Sequence, residues 1–268
     1  MLSKLEAQCI ALETDWITQY SLLCLRLIDL CVILKTGQCT LYCMRKPYHS
    51  TEDVFDIDHL ISLDPLQQFN AWLHEACKDK TILEPNAMAL ATATKDGVPS
   101  VRMILMKGFD VSGFRFFTNY NSRKAIELNT NPRVSLMFYW EPLKKSVRIE
   151  GTVEKLSEEK STEYFSVRPK DSQLGALASN QSSVISGRDA LLSKYKELQE
   201  QYAQQESVPK PEFWGGYVVK PFAYEFWQGQ TNRLHDRLRF RKLREGELLD
   251  ESVMHKGEDG WVIERLCP

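Results

Sequence analysis

Ala87-Met-Ala-Leu-Ala-Thr-Ala-Thr94, then Lys95-Asp-Gly97, then Ser100-Val-Arg-Met-Ile-Leu-Met-Lys107, is the stretch that decides how the chain is read. Two apolar-rich runs on either side of an Asp-Gly turn signal predict a β-hairpin. Downstream, residues 110–113 form a second turn signal and residues 114–118 a third strand. Residues 134–140 and 146–156 read as two more strands, joined at Glu141-Pro142. Near the C-terminus, residues 217–227, 233–242 and 261–266 read as strands again. Short strands at this spacing predict a mainly β fold, an antiparallel barrel or sandwich. There is no internal repeat, no βαβ rhythm and no G-x-G-x-x-G, which disfavours a dinucleotide-binding parallel sheet.

Helices flank the strands. Ser62-Leu-Asp-Pro65 predicts a helix start, with Asp64 as N-cap and Pro65 in the first helical position. Phe69, Trp72, Leu73 and Ala76 then share one buried face. Ser157 caps a second helix, whose first turn carries Glu158 and Glu159 and which Arg168-Pro169 ends. Residues 188–205 read as a polar surface helix, and Val208-Pro-Lys-Pro211 as a stiff connector.

The 268 residues are 43% hydrophobic and 26% charged, with a net charge of −2, a soluble globular composition. Near-neutrality argues against bulk binding to nucleic acid or membranes. Five of the seven cysteines lie in the first 43 residues, the total is odd and no C-x-x-C occurs. No disulfide framework is expected, and a reducing, cytoplasmic compartment is. Cys31, Cys39, Cys43 and His49 lack a recognised metal-ligand spacing, so no metal is expected. Residues 21–34 (SLLCLRLIDLCVIL) are apolar but too short to span a bilayer, and Arg26 and Asp29 interrupt them. No basic stretch precedes them, and Glu6, Glu13 and Asp15 count against a transit peptide. Residues 1–43 therefore read as a helical or loosely ordered extension outside the functional argument.

Three local patterns carry chemistry. In Thr118-Asn-Tyr-Asn-Ser-Arg-Lys124, a strand runs into a helix whose first turn holds Arg123 and Lys124. The helix dipole disfavours cations there unless an anion binds the same N–H groups, so solvated surface cations and an anion site remain equal readings. In Asn232-Arg-Leu-His-Asp-Arg237, a strand would place Arg233, His235 and Arg237 on one face, which favours a small anionic ligand or an electron-rich ring. A nucleic-acid patch is the alternative, weakened by the overall charge. Tyr164, Arg168 and Ser172, spaced four apart, would put a phenol and a guanidinium on one helix face beside a cap hydroxyl, a phosphate cradle. Lys107, ending an apolar strand, is a weaker hint of the same kind.

Several longer motifs, in order, resemble the pyridoxine/pyridoxamine 5′-phosphate oxidase family. They are Met44-Arg-Lys-Pro-Tyr48, Arg102-Met-Ile-Leu-Met-Lys-Gly108, Phe116-Phe-Thr-Asn119 with Ser122-Arg-Lys124, Arg168-Pro169 with Ser172-Gln173, Gln181-Ser-Ser-Val-Ile185, and Trp227-Gln-Gly-Gln-Thr-Asn-Arg-Leu-His-Asp-Arg237. The resemblance runs from residue 44 to 268 and implies one FMN-binding split β-barrel domain there, assembled as a homodimer with FMN at the subunit interface. By position, Arg102, Met103, Ile104, Leu105, Phe117, Thr118, Arg123 and Lys124 would hold FMN. Gln181, Ser182, Trp227 and Arg237 would complete that site, some of them from the second subunit. Lys107, Tyr164, Arg168 and Ser172 would grip the substrate phosphate, and the catalytic pair Arg233 and His235 would face its pyridine ring.

The resemblance further implies oxidation of phosphorylated B6 vitamers to pyridoxal 5′-phosphate. A hydride passes from C4′ to flavin N5, with O2 as final acceptor, H2O2 as product and ammonia released from the amine substrate. One departure stands out. Ser146 occupies a cofactor-binding position where the family usually carries Gln, exchanging an amide contact for a shorter hydroxyl. Deletion of residues 1–43 is expected to leave folding and activity nearly unchanged, which soluble yield and specific activity of the 44–268 chain would check.

Overall fold

The computed structural model describes Tyr48 and residues 53–268. The 1–43 extension, residues 44–47 of the basic–aromatic motif, and the Cys31, Cys39, Cys43 and His49 group lie outside the described residues. Asp64 caps helix α1 (Pro65–Lys78) by accepting a 2.9 Å hydrogen bond from the Leu66 N–H. The helix buries Phe69, Trp72 and Ala76 as its spacing predicts, with Leu73 partly buried against the same core.

Strand β1 (Ala87–Ala93) pairs with β2 (Pro99–Leu105) across the predicted turn, where Gly97 takes φ +90°. A three-residue strand, β3 (Gly108–Asp110), follows and pairs with β4 (Gly113–Asn119). Helix α2 (Arg123–Thr130) separates β4 from β5 (Arg133–Trp140), and a single 3-10 turn at Glu141–Leu143 leads into β6 (Lys145–Lys155). Helices α3 (Glu158–Ser166), α4 (Lys170–Ala178) and α5 (Arg188–Gln201) come next, and α5 buries no residue. The chain then forms β7 (Trp214–Gln228), β8 (Asp236–Lys242), β9 (Met254–Lys256) and β10 (Trp261–Arg265).

All pairings are antiparallel, in the order β2-β1-β5-β6-β7-β8-β10-β9, with β3 and β4 attached through β7. The Lys107 N–H donates to Arg115 O at 2.8 Å, tying the end of β2 back to β4 and curling the sheet toward a barrel. Strand β7 lies along β6 for most of its length, while its other edge pairs first with β4 and then with β8. The register shifts at Glu150/Gly151, a bulge that bends the strand and strengthens its twist. A Cβ at Gly151 would lie 2.5 Å from Lys220 O, so the close approach there requires glycine.

The main core fills the barrel. Phe69 sits at its centre, with ring centroids of Phe109, Phe114 and Phe138 at 5.0–5.1 Å. A second cluster joins Phe165, Leu174, Val208 and Trp214 beneath the helices.

Three expectations need correction. The strand predicted from residue 233 begins at Asp236, because Asp236 is buried and held by Phe55 N–H, Gln230 Nε2 and Arg265 Nη1. Helix α3 ends at Ser166, so Arg168 lies beyond its last turn rather than on its face. The polar helix stops at Gln201 rather than at 205. Among the described residues, no helix is long and apolar enough to cross a membrane. Replacing Phe69 with Ala should cost about 3–5 kcal/mol through the cavity left among Phe109, Phe114, Phe138 and Trp140, measurable as a lowered urea midpoint.

Candidate active site

A cleft of about 900 Å³ opens where the end of β2, the end of β4 and the α3–α4 turn converge. Arg102, Met103, Ile104, Leu105 and Lys107 line it from β2 and the segment after it, and Phe117 and Thr118 from β4. Lys124 enters from α2, Tyr164, Arg168 and Ser172 from the α3–α4 region, and Gln181 from the loop after α4. At one end, Ser122 caps α2 and the Lys124 ammonium is buried, with 8% of the residue exposed. Its Nζ donates to Thr118 Oγ1 at 3.1 Å and Gln181 Oε1 at 2.7 Å, and no carboxylate among the described residues pairs with it. Burial, aided by the Arg102 charge, pushes Lys124 down to about 8. An anion at this spot would compensate the charge.

The other end is aromatic and cationic. Tyr164 stacks on Phe117 at 4.0 Å, and the Arg168 guanidinium lies over the Trp214 ring at 4.8 Å. Arg168 Nη1 is buried without a hydrogen-bond partner, and burial lowers the pKa of the group. Pro169 holds the N-cap position of α4, so the Ser172 hydroxyl belongs to the first turn and is not a cap. Gln173 fixes this arrangement: its Nε2 donates to Phe165 O and its Oε1 accepts from the Val208 N–H at 3.0 Å.

A second cleft of about 680 Å³ shares no residue with the first and holds Ser146, Trp227, His235 and Arg237 beside Tyr48. The His235 ring lies 5.0 Å from Trp227 and 5.7 Å from Tyr48. Its Nδ1 accepts from the Gln230 N–H at 2.9 Å, which leaves the neutral imidazole protonated on Nε2. Burial and the nearby Arg233 charge keep its pKa below the usual histidine value. Arg237 Nε donates to Glu225 Oε1 at 2.8 Å. Arg123 and Ser182 line a smaller hollow beside Gln181.

Arg233 lies on neither cleft. It sits exposed in the turn before β8 with φ +71°, so Arg233, His235 and Arg237 do not share a strand face. The Asn232 side chain accepts from the Leu234 N–H and closes that turn.

Residues 73–202 match the family model for pyridoxamine 5′-phosphate oxidase. Residues 214–268 match the model for the pyridoxine 5′-phosphate oxidase C-terminal dimerisation region. The chain belongs to the pyridoxamine 5′-phosphate oxidase family. It is 56% identical over 226 residues to a pyridoxine-5′-phosphate oxidase of Bos taurus, covering 84% of this chain and 86% of the relative. A pyridoxine/pyridoxamine 5′-phosphate oxidase of Bombyx mori is 53% identical over the same length, covering 84% and 88%. Among solved structures, PhzG from Burkholderia lata 383, in complex with tetrahydrophenazine-1-carboxylic acid, superposes with a TM-score of 0.69 at 29% identity. That match covers 81% of this chain and 98% of PhzG.

In this oxidase-family chain, two buried carboxylates stand behind the cations and were missed from sequence. Glu127 receives Arg102 and Arg123, and Glu225 receives Arg148 and Arg237. Only the Arg123–Glu127 pair leaves a local signal, the i,i+4 spacing on α2. Burial pushes Glu127 up, but hydrogen bonds from Ser100, Thr92 and Arg123 outweigh it and hold the carboxyl at about 2. Affinity for FMN should fall as pH rises above about 8, because Lys124 then loses the charge a phosphate would pair with. Flavin-fluorescence titration from pH 7 to 9.5 would show this, and Lys124→Arg, charged throughout, should flatten the profile.

Proposed function

We propose that the protein is an FMN-dependent oxidase converting pyridoxamine 5′-phosphate and pyridoxine 5′-phosphate to pyridoxal 5′-phosphate with O2, and that residues 44–268 form the catalytic unit. The observation that carries this reading is one cleft with two separate cation sites flanking aromatic walls. Among the described residues, Lys124 lacks an acidic partner at one end, and Arg168 has an unpartnered nitrogen at the other. Two phosphates, one on a cofactor and one on a substrate, would satisfy both.

FMN bound here would supply the redox chemistry, taking a hydride from C4′ and passing the electrons to oxygen to give H2O2. The chain's own residues bind and orient. Thr118, Lys124, Gln181 and the terminal nitrogens of Arg123 would receive the FMN phosphate, with Arg102 and Ser182 beside them. Met103, Ile104, Leu105 and Phe117 would back its ring. Lys107, Tyr164, Arg168 and Ser172 would hold the substrate phosphate far from C4′, so that binding energy there orients the reacting carbon.

Ser146, Trp227 and Arg237 complete the flavin site in this reading, and Arg233 and His235 face the substrate ring. Strand β7 contributes Trp214 to the first cleft and Trp227 to the second. The two lie thirteen positions apart, at most roughly 43 Å along the strand at about 3.3 Å per residue, and in one protomer the two clefts share no lining residue. A homodimer that sets the second cleft of one protomer against the first of its partner resolves this, and the C-terminal dimerisation region supports it. Met103 (66% exposed) and Tyr139 (53% exposed), one on each cleft, would become buried in that contact. Cysteine usage supports a reducing compartment such as the cytoplasm.

A second reading, the same barrel acting on a non-phosphorylated ring acid, is raised by the PhzG likeness. The cation site at Arg168 favours the phosphorylated vitamers. The purified protein should be a yellow homodimer that releases peroxide when pyridoxamine 5′-phosphate is added, and not with unphosphorylated pyridoxamine. Arg168→Ala should raise KM for the phosphorylated substrate tenfold or more, since a charged contact is worth about 1.5–3 kcal/mol. An unchanged KM would place the phosphate elsewhere.

A further inference from the structure

Glu127 is the acid that pairs with two cations of the site, Arg102 and Arg123. It is 3% exposed and accepts from four side chains on three elements. Oε2 receives the Thr92 hydroxyl of β1, the Ser100 hydroxyl of β2 at 2.6 Å and Arg102 Nη2 at 3.4 Å. Oε1 receives Arg123 Nε of α2 at 2.8 Å. One carboxylate therefore staples the helix that carries Arg123 and Lys124 to the hairpin that carries Arg102.

The two arginines are left in different states. Arg102 Nη1 donates to Leu90 O and Thr92 Oγ1, and Nη2 donates to Ser100 Oγ and Glu127, so both terminal nitrogens are committed to protein. Arg123 is held to Glu127 through Nε alone, with its side chain 60% exposed beside the hollow lined by Gln181 and Ser182. Among the described residues neither of its terminal nitrogens has a hydrogen-bond partner, and together they present four N–H donors in a fixed fork.

We propose that Glu127 is a positioning residue for the cofactor phosphate: it grips Arg123 by Nε and turns the free fork of that guanidinium toward the phosphate, while anchoring Arg102 behind it. This rests on the FMN reading above. A competing role, in which Glu127 occupies the place of the phosphate and is displaced by it, conflicts with the burial. Releasing a carboxylate with four donors would leave an unpaired charge inside the protein. The phosphate adds to donors that Glu127 leaves free.

The test compares two ligands that differ only in the phosphate, FMN and riboflavin, by fluorescence titration of wild-type protein and Glu127→Gln. Glutamine keeps the shape and loses the charge. We expect the FMN Kd to rise about tenfold, the loss of one charge-assisted anchor, and the riboflavin Kd to stay within twofold. In an Arg123→Ala background, Glu127→Gln should change the FMN Kd by less than twofold, since the group it positions is gone. Equal weakening of both ligands would mean a merely structural role, tighter FMN binding would mean a competitor, and no change would mean no role; each overturns the proposal. If Glu127→Gln yields no soluble protein, Thr92→Val takes its place. It removes one hydroxyl from Oε2, and a threefold loss confined to FMN is expected. Loss for both ligands, or none, overturns the proposal there too. Wild-type protein that binds neither flavin would overturn the FMN reading itself, and this proposal with it.

Discussion

Strand β7 is the constraint on which the rest depends. Its fifteen residues share one edge with β6, while β4 and β8 divide the other between them. Pairing with β4 ends at Val219 and pairing with β8 begins at Ala223. Between them lie Lys220, Pro221 and Phe222, and Pro221 has no N–H to offer a ladder. The Gly151 bulge faces this changeover and lets the strand bend through it. The barrel is split there as a consequence. One cleft takes Trp214 from the start of β7 and the other takes Trp227 from its end.

Charge is handled differently in the two clefts, and the difference is informative. In the second, Arg148 and Arg237 close on the buried Glu225, so the cations are neutralised by the protein itself. In the first, Glu127 neutralises part of the array, while among the described residues no carboxylate pairs with Lys124 or Arg168. Keeping the buried Lys124 ammonium and the buried Nη1 of the half-buried Arg168 without an acid is costly unless something anionic shares the space. A fold that keeps two such cations at opposite ends of one cleft is arranged for a ligand, or a pair of ligands, with two anionic groups.

What the sequence made legible was local. Asp-Gly between two apolar runs is enough to predict the β1–β2 hairpin, and Ser122 before Arg123 and Lys124 is enough to place two cations at a helix start. What it hid was set by distant partners. The 233–237 stretch alternates like a strand, yet Asp236 is claimed by Phe55, Gln230 and Arg265, from 6 to 181 positions away, and the chain turns there instead. Glu127 and Glu225 look like ordinary surface acids until Arg102 and Arg148, 25 and 77 positions away, fold onto them. The short strands β3 and β9 carry too few residues to show a period.

Backbone strain points to the same places as charge does. Among the described non-glycine residues with positive φ are Ser182 (φ +73°) and Arg233 (φ +71°), both of which belong to the proposed site and neither of which lines the main cleft. Such conformations cost of order 1–3 kcal/mol each and persist only where the surroundings over-determine them. For Arg233 the surroundings are visible: Asn232 closes the turn, and the buried Asp236 anchors its far side. The turn is thus held rigid with an exposed guanidinium at its tip. Among the described residues its charge acts on His235, whose pKa it helps to lower. The segment carrying it falls within residues 214–268, which match the dimerisation-region model, so the strained turn belongs to that region of the chain.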